Sequence, residues 1–140
     1  MATTTATITI SSTDIADNNM SISNTATLTT AGTDTGYTKT TGLARVETSS
    51  TANVVLFDSG ESTSIAGTGA ITKGKLFIQN LNDRGDGTKY VQVLLGTLVI
   101  GNLYGGDWLM TPWDGGAGND IEITPSSSTD TTLEYILFYE

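Results

Sequence analysis

Residues 131–140, TTLEYILFYE, decide the fold class. Leu133, Tyr135, Leu137 and Tyr139 alternate with Glu134, Ile136, Phe138 and Glu140, and alternation places the two sets on opposite faces of an extended strand. One face is wholly apolar and the other is apolar at its centre. Such a strand belongs in the middle of a sheet, with an opposing sheet on one face and a neighbouring subunit or covering loop on the other.

The rest of the chain repeats that kind of segment. Upstream lie GKLFIQN (74–80), TKYVQVLLG (88–96), TLVIGNLY (97–104), DWLMTPW (107–113) and DIEIT (120–124), separated by Gly, Asn and Asp clusters about every ten residues. Before them come a short strand around LARVE (43–47) and the strongly apolar ANVVLFD (52–58). No segment shows a 3.6-residue apolar period, so the helical crossovers of a parallel sheet are not expected. With 140 residues there is room for one sizeable core. The expectation is an all-β protein: a single-domain antiparallel β-sandwich, jelly-roll-like, over residues 1–140.

Residues 1–30 stand apart. TTTATITIS (3–11) and MSISNTATLTT (20–30) read as polar, Thr-rich strands with thin apolar sides, Ile8 and Ile10 on one and Met20, Ile22, Ala26 and Leu28 on the other. STDIADNN between them would turn, capped by Ser12 or Thr13. This region is expected to act as an arm or as edge strands.

Composition limits the chemistry. The chain has no Cys and no His, so thiolate metal sites, disulfides and Ser-His-Asp or Cys-His catalysis are excluded. Its net charge of −9 comes from acids scattered along the sequence, which disfavours phosphate backbones and anionic lipid. MATTTATITI lacks the basic and apolar regions of a signal peptide, and no window is apolar for long enough to span a bilayer. A chain made without a signal peptide, binding neither nucleic acid nor membrane, is the expectation.

Four motifs invite functional readings, and turn chemistry competes with each. GAITKGKL (69–76) has P-loop spacing, but Leu76 stands where a hydroxyl should reach magnesium and a strand follows instead of a helix; a turn at Lys73-Gly74 explains it better. GGAGNDIEI (115–123) matches one calcium nonapeptide except for Glu122 in the aliphatic slot. A lone calcium held by Asp114, Asn119 and Asp120 stays open beside the preferred glycine-rich hairpin. NDRGDGT (82–88) contains Arg84-Gly85-Asp86, yet the same letters form a tight turn between strands.

VVLFDSG (54–60) is the strongest enzymatic signal. Asp58 sits in the apolar-apolar-Asp-Ser-Gly turn of aspartic proteases, Asp34-Thr35-Gly36 offers a second copy, and Val99-Ile100-Gly101 resembles a later element of the small homodimeric enzymes. Against this, Asp34 has no apolar strand before it and Glu61 replaces a small residue. Asp-Ser-Gly is also common turn chemistry after a strand, and no acidic pair stands out for glycoside hydrolysis.

Both tryptophans lie in one stretch with Tyr104 and Met110. Core packing accounts for Trp108 or Met110; Trp113 follows Pro112, opens a loop and is expected to be partly exposed. Tyr104, Trp108, Met110 and Trp113 form the candidate interface, where an exposed aromatic would anchor a protein partner or stack on a sugar.

TTAGTDTGYTKTTGLARVE (29–47) together with LEYILFYE (133–140) resembles small all-β virion proteins of aquatic tailed phages, cyanophages in particular. The resemblance covers the two ends better than the middle and carries no functional residues. It implies a non-enzymatic capsid decoration or cement protein on the outer surface of the virion, a dimer or trimer that bridges subunits of the major capsid protein without any cofactor. The alternatives are a tail- or fibre-associated carbohydrate-binding module, using Trp113 and Tyr104, and the aspartic protease.

Overall fold

The structure is a computed structural model that describes residues 4–12, 20–28, 37, 39–59, 71–85, 87, 89–128 and 130–140. The chain divides into two units, residues 1–38 and 39–140. The first contains an antiparallel hairpin of β1 (Thr4–Ser12) and β2 (Met20–Leu28). Its register sets Ile10 opposite Ile22, both exposed, and the Thr7 and Thr25 hydroxyls lie 3.0 Å apart across the strands. The intervening residues 13–19, and with them the Thr13 cap, fall outside the described residues.

Among the described residues, 39–140 hold nine strands and no helix: β3 (Lys39–Thr40), β4 (Ala44–Thr48), β5 (Val54–Phe57), β6 (Gly74–Asn80), β7 (Tyr90–Leu95), β8 (Leu98–Tyr104), β9 (Trp108–Trp113), β10 (Ile121–Pro125) and β11 (Thr131–Tyr139). Every segment from LARVE onward that alternates in the sequence is a strand; the two-residue β3 had no apolar pattern to reveal it. One sheet runs β5-β10-β7-β8. In the other β11 lies between β6, which continues to β9, and an edge shared by β4 and β3.

All pairings are antiparallel, and four of them nest: β7 with β8, β6 with β9, β5 with β10, β4 with β11. The chain from β4 to β11 is therefore one long hairpin about the β7–β8 turn. It rolls up so that β10 also pairs with β7 and β11 with β6. That succession is a jelly roll, and rolling leaves two sheets whose apolar faces must meet.

Alternation dictates which side chains meet. Leu76, Ile78, Leu133, Leu137, Trp113 and Tyr139 from one sheet join Phe57, Val91, Val93, Leu103, Ile121 and Ile123 from the other in a single core. Phe57 reaches across, its ring 5.5 Å from Tyr135 edge-on and 5.8 Å from Trp113. The terminal strand is interior to its sheet, as its two-sided pattern requires.

Among the described residues three buried side chains are polar, Thr48, Thr131 and Asn80, and Asn80 is the most enclosed. Asn80, 1% exposed, ends β6. Its Nδ2 donates to Leu103 O at 3.0 Å and its Oδ1 accepts from Asn82 N at 3.0 Å. Its backbone N donates to Asp107 O, and its O accepts from Gly106 N. Full pairing lets a buried amide fasten β6 to the β8–β9 turn without an unsatisfied group.

Candidate functional site

The outward face of the β4-β11-β6-β9 sheet carries a row of apolar side chains across three neighbouring strands. Register places Ile136 opposite Phe77 and Phe77 opposite Met110. The next row holds Phe138, Lys75 and Pro112, and a third holds Glu134, Gln79 and Trp108. Phe77, Met110, Ile136 and Phe138 are only half-buried, and the Phe77 and Trp108 rings stack 28° apart with centroids at 6.3 Å. Adjacent cross-strand aromatic and aliphatic side chains on a solvent-facing sheet make a contiguous apolar patch.

Charge frames this patch. Arg45 on β4 bridges to Glu134 beside it, Lys73 bridges to Glu140 at 2.8 Å, and Lys75 stands within the apolar rows. On its outward face this sheet carries Arg45 and Lys75 against Glu47 and Glu134, whereas the outward face of the other carries Glu122 without a cation on its strands. On a chain of net charge −9, it is the face a second acidic surface approaches with least repulsion.

The four interface candidates separate. Trp108 (48% exposed) and Met110 point outward on β9; Tyr104 (37% exposed) lies on β8 of the other sheet, its ring 5.4 Å from Tyr90. Trp113 is a correction: it is 4% exposed, packs on Phe57, and donates its indole N–H to Asn119 O at 2.8 Å. Pro112 does not end β9, because it sits on an edge strand where no ladder N–H is needed. The parity of β9 is thus the reverse of the expected one, with Trp113 in the core and Trp108 and Met110 outside. Phe77, Ile136 and Phe138 belong to the patch and were missing from the candidate set; the period-2 pattern of GKLFIQN and LEYILFYE carried the signal.

Among the described residues, Asp58 and the Val99-Ile100-Gly101 element do not converge. Asp58 follows β5 and Val99-Ile100-Gly101 lies on β8, at opposite edges of one sheet with two strands between. Asp34-Thr35-Gly36 and Gly60 lie outside the described residues. In the P-loop-like stretch Gly74 opens β6 instead of a turn, so close to Trp113 that a Cβ would stand 2.9 Å from its carbonyl. Arg84 of the Arg-Gly-Asp stretch donates to Gly105 O and pairs with Asp107, while Asp86 is outside the described residues.

The acidic loop is held by its own hydrogen bonds. Asp114 Oδ1 accepts from Gly116 N at 2.9 Å, and Asn119 Nδ2 donates to Asp114 O at 3.1 Å. Asp120 Oδ1 accepts from both the hydroxyl and the backbone N–H of Ser59. Among the described residues, no three acidic side chains gather as metal ligands would.

The Ser59 hydroxyl, then its backbone N–H, hold the Asp120 carboxyl below the usual carboxylate range. A depressed folded-state value gives stability that is present above the unfolded pKa and is lost as pH falls through the folded one. Asp120→Asn should therefore weaken the fold by a constant amount from neutral pH down to about 5. The gap from wild type should then close as pH drops below the ordinary value of 3.8. Urea midpoints at stepped pH check this, and a gap that widens towards acid would refute the assignment.

No protein-family model matches the chain, and no curated protein matches it.

Proposed function

We propose that the protein is a non-enzymatic capsid decoration or cement protein. In this reading it sits on the outer surface of a phage head as a dimer or trimer and bridges subunits of the major capsid protein. The observation that carries the reading is the outward apolar patch of Phe77, Met110, Ile136 and Phe138 with Lys75 among them. A rigid sheet presents these side chains already ordered, so docking costs little conformational entropy. Repetition on a lattice would multiply modest individual contacts. The resemblance of residues 29–47 and 133–140 to virion proteins supports the same reading, and the acidic composition suits a surface kept away from packaged DNA.

Mass spectrometry of virions of the encoding phage should find the chain in many copies, and recombinant protein should rebind heads stripped of it. Phe77→Asp and Ile136→Lys, each placing a charge at the centre of the patch, should weaken rebinding by about 30-fold or more, as for a hot-spot residue. Absence from purified particles would end the proposal.

A further inference from the structure

The turn joining β8 to β9 forms one wall of a recess of about 690 Å³ lined by Arg84, Asn102, Leu103, Gly105, Asp107 and Trp108. Its groups are held in place before any ligand arrives. Trp108 is stacked on Phe77, which braces the indole while leaving it 48% exposed. Asp107 accepts from Arg84 with one carboxylate oxygen and from Tyr104 N, at 3.1 Å, with the other. Arg84 Nε donates to Gly105 O at 3.3 Å. The loop carrying Arg84 is locked against the turn, since a Cβ on Gly105 would lie 2.4 Å from Asp83 O and 2.6 Å from Asn82 O. Asn102, exposed on β8, adds an amide whose Oδ1 is the acceptor in a 3.4 Å contact with Gln92 Nε2.

We propose that this recess binds a neutral hexopyranose unit of a glycan. A pyranose has an apolar face of C–H groups and a rim of vicinal hydroxyls that both donate and accept. The braced indole fits the face. Spare guanidinium N–H groups of Arg84, remaining lone pairs on Asp107 and the Asn102 amide fit the rim, because planar side chains pair with adjacent hydroxyls two at a time. The Arg84–Asp107 pair makes the recess locally neutral, and a chain of net charge −9 disfavours uronic or sialic acids. The recess shares Phe77, which braces Trp108, with the docking patch, but it needs neither Ile136 nor Phe138. Being open and shallow it would bind a single sugar weakly, with avidity supplied by repeated copies.

The test is an array of neutral and acidic glycans probed with wild-type protein displayed multivalently on beads, followed by titration of the best glycan while tryptophan fluorescence is recorded. Neutral glycans should be retained, and fluorescence should change on titration because Trp108 is exposed while Trp113 is in the core. Trp108→Ala should lose at least tenfold in affinity and Asn102→Ala several-fold, while Val55→Ser, on the far edge strand, should bind as wild type. Circular dichroism melts matching wild type show that the variants are folded. No retention of any neutral glycan, retention of acidic glycans alone, or full binding by both Trp108→Ala and Asn102→Ala would each overturn the proposal.

Discussion

Trp113→Ala should destabilise residues 39–140 by about 3–5 kcal/mol, the cost of truncating a large aromatic in a close-packed core. Trp108→Ala, five residues earlier on the same strand, should cost within about 0.5 kcal/mol. The contrast follows from parity. Trp113 faces the opposing sheet, fills the space between Phe57 and Gly74, and satisfies its indole N–H on Asn119 O. Its removal leaves a cavity and strips Asn119 O of that partner. Trp108 leans on Phe77 at the surface. Urea unfolding at 25 °C measures both; equal losses would mean that the two faces of β9 are wrongly assigned.

That contrast also marks how far the sequence was legible. Period-2 alternation in GKLFIQN, TKYVQVLL, DIEIT and TTLEYILFYE located β6, β7, β10 and β11, because burial on one face leaves its trace at every second residue. DWLMTPW defeated it. Trp, Leu, Met and Trp occupy both parities, and proline after threonine reads as a strand end unless the strand is known to be an edge. Edge position depends on strand order, which spacing alone does not encode. A jelly-roll-like sandwich was the expectation, but the strand order and register that nest β4 to β11 in pairs were not readable for the same reason.

The apolar patch was half legible. Ile136 and Phe138 announce themselves as the second apolar face of the closing strand, but Phe77 looks like one more core residue until register sets it beside Ile136 and Met110. Asn80 was invisible. A polar residue at the end of an apolar strand reads as the start of a turn, and only the return of β8 and β9 to the same corner gives its amide buried partners. For the Asp58 motif, Val99-Ile100-Gly101 lies on β8, at the opposite edge of the sheet from the strand that Asp58 follows, and Asp34 lies outside the described residues.

Gly96→Ala should destabilise the fold by about 2–5 kcal/mol, since it strikes the turn about which the whole hairpin is rolled. Two separate costs combine there. Gly96 opens the two-residue β7–β8 turn at φ +55°, a conformation that costs an L-residue about 1–2 kcal/mol. A Cβ at this position would also stand 2.3 Å from Gly118 O, a clash with backbone that only a shift of the 114–120 loop can relieve. Overpacking of that kind costs about 1–3 kcal/mol, and the shift would strain the Gly96 N to Asp120 O bond of 2.7 Å that ties the turn to β10. Gly42 separates the two costs. It has φ +75°, and a Cβ added there would meet no atom within 4 Å, so Gly42→Ala should show the backbone cost alone, about 1–2 kcal/mol. Chemical denaturation of the two variants side by side reads the difference as the cost of close approach. Equal losses would mean that the turn and the acidic loop are not in contact, and the rolled hairpin would lose the fastening at its tip.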